Sequence, residues 1–87
     1  MKGALNVNLE KRNQKSEIRN EIKSYIAMSG WTLTDIVKEM NKTRTELEQT
    51  TSQNISNKLT RGTIKYSECK EIARIIGYKI EWKKRNK

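Results

Sequence analysis

The stretch TTSQNISNKLTR, residues 50–61, carries side chains that are chemically suited to contact nucleic-acid bases. Asparagine and glutamine amides pair with adenine in the major groove, and serine and threonine hydroxyls pair with bases or phosphates. No acidic residue occurs from Gln49 to Ser67, where a carboxylate would repel phosphate groups. The suitable residues are Ser52, Gln53, Asn54, Ser56 and Asn57. An ordinary solvated helix face can have the same composition, so this stretch alone leaves both interpretations open.

The distribution of charge favours a polyanionic partner over a surface that is merely solvated. The chain carries 19 Lys and Arg against 10 Asp and Glu, which gives a net charge of +9. The excess is uneven, because residues 50–87 carry +7, residues 1–15 carry +3 and residues 16–49 carry −1. Basic surfaces attract the phosphate backbone of nucleic acids. Together with the amide-rich stretch, this charge predicts double-stranded DNA as the partner.

Enzymatic and metal chemistry have few candidate residues in this sequence. The chain has no His, and Cys69 is its one Cys, so no activated nucleophile, disulfide or zinc cluster can be assembled. The four Gly residues stand apart and form no phosphate-binding loop. We therefore expect a protein that is not an enzyme and uses no metal, cofactor or small-molecule substrate. The lack of a long apolar run predicts no signal peptide or membrane span, and hence a cytoplasmic protein.

Four amphipathic helices are predicted from apolar residues that recur at helical spacing. The predicted helices span residues 17–29, 33–41, 51–60 and 68–76. Their predicted N-terminal caps are Ser16, Thr32, Thr50 (in a capping box with Gln53) and Ser67. Gly30 and Gly77 end the first and last helices, and residues 41–50 form a long polar connection that has room for one helical turn. Trp31 and Cys69 are predicted to lie in the core.

The two ends of the chain show the period of two that is typical of strands. Leu5, Val7 and Leu9 alternate with Asn, so residues 1–15 are predicted to be either a mobile basic arm or a short strand. Residues 78–83 alternate in the same way and predict a C-terminal strand before a basic tail. A single strand cannot bury its apolar side alone, so it is predicted to join two copies of the chain into a homodimer, with the N-terminal strand as a competing partner. The predicted dimer seam is Tyr78, Ile80 and Trp82.

The order of these parts resembles the lambda-repressor-like helix-turn-helix family. The resemblance runs from Trp31 to Gly77 and includes TLTDIVKEM as a scaffold helix, SQNISNKLTRG as a recognition segment and SECKEIARIIGY as a closing helix. The tight turn usual in that family is replaced here by residues 41–50. The resemblance implies that the recognition helix enters the major groove, with base contacts at Ser52, Gln53, Asn54, Ser56 and Asn57. The implied phosphate contacts are Thr51, Lys58, Arg61 and Lys65.

These observations predict an all-α, four-helix domain of the lambda-repressor-like helix-turn-helix type over residues 16–77. A basic N-terminal arm precedes it at residues 1–15, and a short C-terminal strand with a basic tail follows at residues 78–87. The expected function is that of a sequence-specific transcriptional regulator, a repressor of the phage or mobile-element type. One alternative is a small basic interaction protein that occupies a nucleic-acid-binding groove on a protein or ribonucleoprotein. An RNA binder is a third interpretation, although the aromatic-rich sheet of the common RNA module is missing.

Overall fold

The computed structural model describes the backbone of residues 2–86 and the side chains of residues 14–86. Within this part of the chain the regular structure is entirely helical, which confirms the predicted all-α class with four α-helices but not the predicted C-terminal strand. The α-helices are α1 (Lys2–Ser29), α2 (Leu33–Asn41), α3 (Ser52–Arg61) and α4 (Tyr66–Ile75), and a single 3₁₀ turn, Glu46–Glu48, lies in the connection between α2 and α3. Helix α3 packs against α1 and α2, and α4 packs against α2.

Helix α1 is much longer than the sequence pattern indicated. It was predicted to begin at residue 17, after an arm or strand, but the helix already begins at Lys2, so both predictions for residues 2–15 are wrong. From residue 4 to residue 15 the chain contains Ala, Leu, Glu, Lys, Arg and Gln, which favour helix, and it contains no Pro. No helix-breaking residue therefore separates Ser16 from residue 4, and the helix extends through Ser16 toward the N-terminus. Its end is as predicted, because Gly30 has the left-handed φ of +79°.

Helix α2 has the predicted bounds, and its cap explains why. The Thr32 side chain accepts a hydrogen bond from the Asp35 backbone N–H at 3.1 Å, as the sequence predicts. Ile36, Val37 and Met40 are buried on one face. The cap and the apolar spacing are both local in sequence, which is why the bounds of this helix could be predicted.

Helices α3 and α4 begin one or two residues away from the predicted positions. Thr51, not Thr50, caps α3, and its side chain accepts from the Asn54 backbone N–H at 3.1 Å. Thr50 is already engaged, because its backbone N–H and C=O both bond the Asn41 side-chain amide at 2.9 Å. Ser67 caps nothing. Helix α4 begins at Tyr66 and has the Glu68 carboxylate as acceptor for the Lys65 backbone N–H.

The core lies where α2, α3 and α4 meet. It consists of Ile36, Val37, Met40, Ile55, Leu59, Ile72 and Ile76. Trp31 is half-buried and packs against this cluster, in agreement with its predicted place. Cys69 differs from the prediction, because it is half-buried beside an apolar cleft between α1 and α4 instead of lying in the core. Burial and the charges of Glu68 and Glu21 raise the pKa of its thiol, which keeps it protonated at neutral pH.

The C-terminal segment folds back along its own chain. The predicted strand is absent from residues 78–86, which are irregular, and the predicted N-terminal partner strand is helical. A lone strand with no neighbour to bond has no ladder, which explains the difference. Tyr78 packs its ring against Tyr25 of α1, with 4.9 Å between centroids, and Ile80 lines the cleft between α1 and α4. No helix within residues 2–86 is long and apolar enough to cross a membrane.

Candidate nucleic-acid interface

Helix α3 packs against the rest of the domain through one narrow face. Ile55 is 0% and Leu59 1% exposed, and both belong to the core cluster. Because these two anchors lie four residues apart, they occupy a single stripe and leave the opposite side of the helix free. The exposed residues of α3 are Gln53, Asn54, Asn57, Thr60 and Arg61. The helix thus presents a rigidly supported surface of amides, a hydroxyl and one cation to solvent.

The five predicted base-contacting residues divide into two groups in the structure. Gln53, Asn54 and Asn57 are exposed, whereas Ser52 and Ser56 are half-buried. The Gln53 side-chain amide donates to the Asn57 side-chain oxygen at 3.2 Å, so these two amides lie on the same face one turn apart. Their mutual hydrogen bond orders two side chains that would otherwise sample several rotamers. The amide face is therefore partly organised before any ligand binds.

The start of α3 brings another predicted residue to the surface. Thr51 is exposed, and its side-chain oxygen already accepts the Asn54 N–H. The hydroxyl hydrogen of Thr51 remains available as a donor, since capping uses a lone pair only. Unpaired backbone N–H groups at a helix start favour negative charge. This end of α3 is chemically compatible with a phosphate oxygen.

Lys58 has a partner that the sequence pattern did not indicate. Its Nζ lies 2.7 Å from Oε2 of Glu68, a residue of α4 that is only 6% exposed. The side chain of Lys58 is 36% exposed, so the cation lies at the edge of the domain with its charge directed inward. Lys58, which was predicted to contact phosphate, therefore connects α3 to α4 in the free protein.

Glu68 holds both ends of the short loop between α3 and α4. One carboxylate oxygen accepts from Lys58 and the other from the Lys65 backbone N–H at 2.9 Å. Burial alone would raise the pKa of Glu68, but the hydrogen bonds from Lys58 and Lys65, with the charges of both lysines, outweigh burial and lower it. The carboxylate is thus ionised at neutral pH. This side chain therefore links α3, through Lys58, to the backbone of Lys65 at the start of α4.

A second ion pair holds the segment that precedes α3. Nη2 of Arg44, in the connection between α2 and α3, lies 2.8 Å from Oε1 of Glu71 on α4. Both side chains are largely covered, at 21% and 17% exposure. Glu68 and Glu71 are three residues apart on one helix, so α4 carries the supports for both flanks of α3. The sequence does indicate this role of Glu68, because a Glu three residues after Lys65 has the spacing of a capping box. Ser67, which directly precedes Glu68, is a common capping residue and led to the prediction of a different cap.

The other predicted phosphate contacts lie where α3 ends. Arg61 and Lys65 are exposed on either side of Gly62, whose φ of +70° turns the chain out of the helix. The Lys15 side chain of α1 packs here, because a Cβ built on Gly62 would lie 2.6 Å from its Cγ. Lys15 is exposed and adds a third cation at this end. The sequence pattern did not predict this contact, since α1 was expected to start after residue 15.

The residues predicted to form a dimer seam make contacts within their own chain. Tyr78 is 42%, Ile80 37% and Trp82 87% exposed. The Trp82 Nε1–H donates to the Tyr66 hydroxyl at 2.7 Å, and the two rings meet edge to face with 6.3 Å between centroids. The seam residues thus attach the C-terminal segment to α1 and α4.

Comparison with known proteins adds no assignment, since no family model, curated protein or solved structure matches the chain. Among the described residues, no cluster of Cys, Asp and Glu is arranged to hold a metal ion.

Proposed function

We propose that this protein binds double-stranded DNA in a sequence-specific manner, with α3 in the major groove. The observation that carries the proposal is the exposed amide face of α3, Gln53, Asn54 and Asn57, on a helix whose opposite side is anchored by fully buried residues. The major groove admits an α-helix, and amide side chains pair bidentately with adenine there. A helix held by its core contacts can present those amides without losing much conformational entropy on binding.

The surrounding charge supports the same proposal. Arg61 and Lys65 are exposed beside the amide face, and the N-terminal end of α3 is capped by a hydroxyl and not by a carboxylate. In this arrangement Gln53, Asn54 and Asn57 read base edges while the cations and Thr51 fix the register on phosphates. Ser52 and Ser56 make secondary contacts, since they are half-buried. The ammonium group of Lys58 is paired with Glu68, so Lys58 contacts a phosphate only if that group bonds both partners.

In the cell, this activity is that of a transcriptional regulator of the helix-turn-helix type, acting as a repressor in the cytoplasm. The order scaffold helix, connection, recognition helix and closing helix corresponds to α2, residues 42–51, α3 and α4. The support is the family resemblance of residues 31–77 together with the packing of α3 against α1 and α2. The long connection between α2 and α3 is compatible with this role, because Asn41 and Arg44 tie it to the domain.

Selection of duplexes from a random pool, followed by binding isotherms, tests the proposal. Wild type should prefer the selected duplex over random sequence by about 10³-fold or more. Gln53→Ala and Asn54→Ala should each lose about 1–3 kcal/mol on the selected duplex and little on random DNA. Asn20→Ala, a matched loss of an exposed amide on α1, should change neither.

Arg61→Ala should behave differently, weakening binding to all duplexes alike and lowering the salt slope by about one unit. A wild-type protein that binds every duplex with the same weak affinity contradicts sequence-specific recognition. Equal losses on selected and random DNA for Gln53→Ala and Asn54→Ala remove the base-reading role from α3.

A homodimer remains part of the proposal, because one domain of this size covers one half-site and two-fold pairing is the common way to reach tight binding. The seam predicted from sequence is Tyr78, Ile80 and Trp82. Sedimentation of the protein alone and on its selected duplex measures the stoichiometry. A dimer that Ile80→Asp converts to a monomer supports this seam, whereas a 1:1 complex on the duplex contradicts it.

A further inference from the structure

Trp82, which directly precedes the C-terminal basic residues, contacts the first residue of α4. Trp82 is 87% exposed, so little of it is covered by packing, and its hydrogen bond to the Tyr66 hydroxyl is what locates it. Tyr66 is the first residue of α4 and directly follows Lys65. The contact between Tyr66 and Trp82, which we call the aromatic contact, therefore joins two segments that are 16 residues apart in sequence.

We propose that residues 83–85 form a second DNA-contacting element, which the aromatic contact holds next to the loop 62–65 and which binds phosphates flanking the site read by α3. This inference rests on the proposed function. The partner is the phosphate backbone of the same duplex, and the contribution is affinity without base preference.

The charges around the aromatic contact support this assignment. Lys83, Lys84 and Arg85 follow Trp82 directly, and they take part in no ion pair among the described side chains. The acidic residue nearest to them in sequence, Glu81, lies 3.6 Å from Lys79 in an exposed ion pair, so residues 78–81 carry no net charge. The free positive charge of the segment thus begins at Lys83, immediately after the aromatic contact.

The loop side of the aromatic contact is also cationic. Lys65 precedes Tyr66, and Lys70 Nζ lies 5.7 Å from the centre of the Tyr66 ring. Neighbouring Cα atoms in a chain are ~3.8 Å apart. Lys65 and Lys83 are each adjacent in sequence to one partner of the aromatic contact, so each of the two segments that it joins carries a cation next to it. Duplex DNA presents one negative charge per ~1.7 Å of its axis, which lets such a surface neutralise several phosphates at once.

The first test neutralises the segment. The triple variant Lys83→Gln/Lys84→Gln/Arg85→Gln should lower the slope of log affinity against log salt by about two to three units, at about 0.9 for each phosphate that the protein no longer neutralises. The ratio of wild-type affinity to variant affinity should then fall by roughly 16- to 64-fold between 50 and 200 mM salt. Its preference for the selected duplex over random DNA should persist, since no base-reading side chain is changed.

The second test removes the hydrogen bond of the aromatic contact without changing the charge of the protein. Tyr66→Phe removes only the hydroxyl that accepts the Trp82 N–H, and it should weaken binding by about two- to tenfold. In the background of the triple variant the same substitution should have no effect, because the segment it positions has lost its charges. A Tyr66→Phe effect that persists there would mean that Tyr66 contacts DNA itself, and would overturn the positioning role.

A matched control removes the same number of charges elsewhere. Lys23→Gln/Lys38→Gln/Lys42→Gln neutralises three exposed lysines of α1 and the α2 end. An equal fall in salt slope for both triple variants would indicate a general charge effect and overturn the proposal. An unchanged slope in the C-terminal triple variant overturns it as well, while leaving base reading by Gln53 intact. A wild-type chain that binds no duplex at all overturns both this proposal and the proposed function.

Discussion

Glu68 provides a quantitative test of how α3 is held. Its side chain is 8% exposed, and it accepts one hydrogen bond from Lys58 at 2.7 Å and another from the Lys65 N–H at 2.9 Å. Glu68→Gln keeps the size of the side chain but removes the charge and one of the two acceptors; the remaining oxygen can still accept from the Lys65 N–H, while Lys58, which is 36% exposed, turns to water. We expect a loss of about 1 kcal/mol, the difference between a charge-assisted and a neutral hydrogen bond.

Removal of the other partner should cost more. Lys58→Met leaves the Glu68 carboxylate buried and ionised without its counter-charge, and breaking a buried pair from one side costs about 3–5 kcal/mol. Because the Lys58 side chain is 36% exposed, water can reach the abandoned carboxylate. The expected loss is therefore about 2–3 kcal/mol. In the double variant the carboxylate is absent, so the total should be smaller than the sum of the single losses.

Urea unfolding followed by circular dichroism at pH 7 measures these free energies, provided that the m-value stays constant. The pH dependence gives a second measurement. Since the folded protein lowers the pKa of Glu68 below its ordinary value of 4.5, its contribution is present above that pH and is lost as the pH falls through the folded pKa. The advantage of wild type over Glu68→Gln should thus disappear in acid. A Lys58→Met loss no larger than that of Glu68→Gln, or an advantage that survives in strong acid, would refute this account.

Two further predictions concern the ends of α3. Gly62→Ala should destabilise the fold by about 2 kcal/mol or more, because alanine is strained at a left-handed φ and its Cβ would clash with Lys15. Gly30 has a similar φ but open space around it, so Gly30→Ala should destabilise the fold by only about 1 kcal/mol. Equal losses in thermal denaturation would mean that Lys15 does not pack against Gly62. Thr51→Ala should cost about 1 kcal/mol through the missing cap, while Thr50→Ala should stay within about 0.5 kcal/mol, because Thr50 acts through its backbone. The reverse ranking would restore Thr50 as the cap.

The parts of the fold that could be predicted are those decided by neighbours in sequence. Helix α2 follows from its Thr32 cap and apolar spacing, and the anchoring of α3 follows from Ile55 and Leu59. The cap of α3 could not be placed correctly, because Asn41 captures Thr50 from nine residues away. A period-two pattern likewise indicates that a segment could be a strand, but it does not supply the neighbouring strand, and residues 2–86 contain none that could form a ladder with residues 78–83.

The candidate site shows the same division. Residue types on α3 could be read from the sequence, and so could the cationic residues around it. Which of the cations are free could not, because the pairing of Lys58 with Glu68 depends on how α4 packs beside α3. The aromatic contact could not be predicted either, because Tyr66 and Trp82 are brought together by the turn at Gly77 and no local sequence pattern indicates that they meet.

The bond pair between Asn41 and Thr50 has a consequence for protein engineering. The Asn41 side-chain amide joins the two ends of the connection by bonding both the N–H and the C=O of Thr50, as a neighbouring strand would. The position of the chain just before α3 is therefore set at residue 50 and not by the length of residues 42–49. Doubling a flexible loop whose ends are already joined costs only about 0.6 kcal/mol in closure entropy. Leu47, at 99% exposure, lies within that loop. A fluorescent reporter or ligand-sensing domain inserted there should therefore leave the position of α3 unchanged.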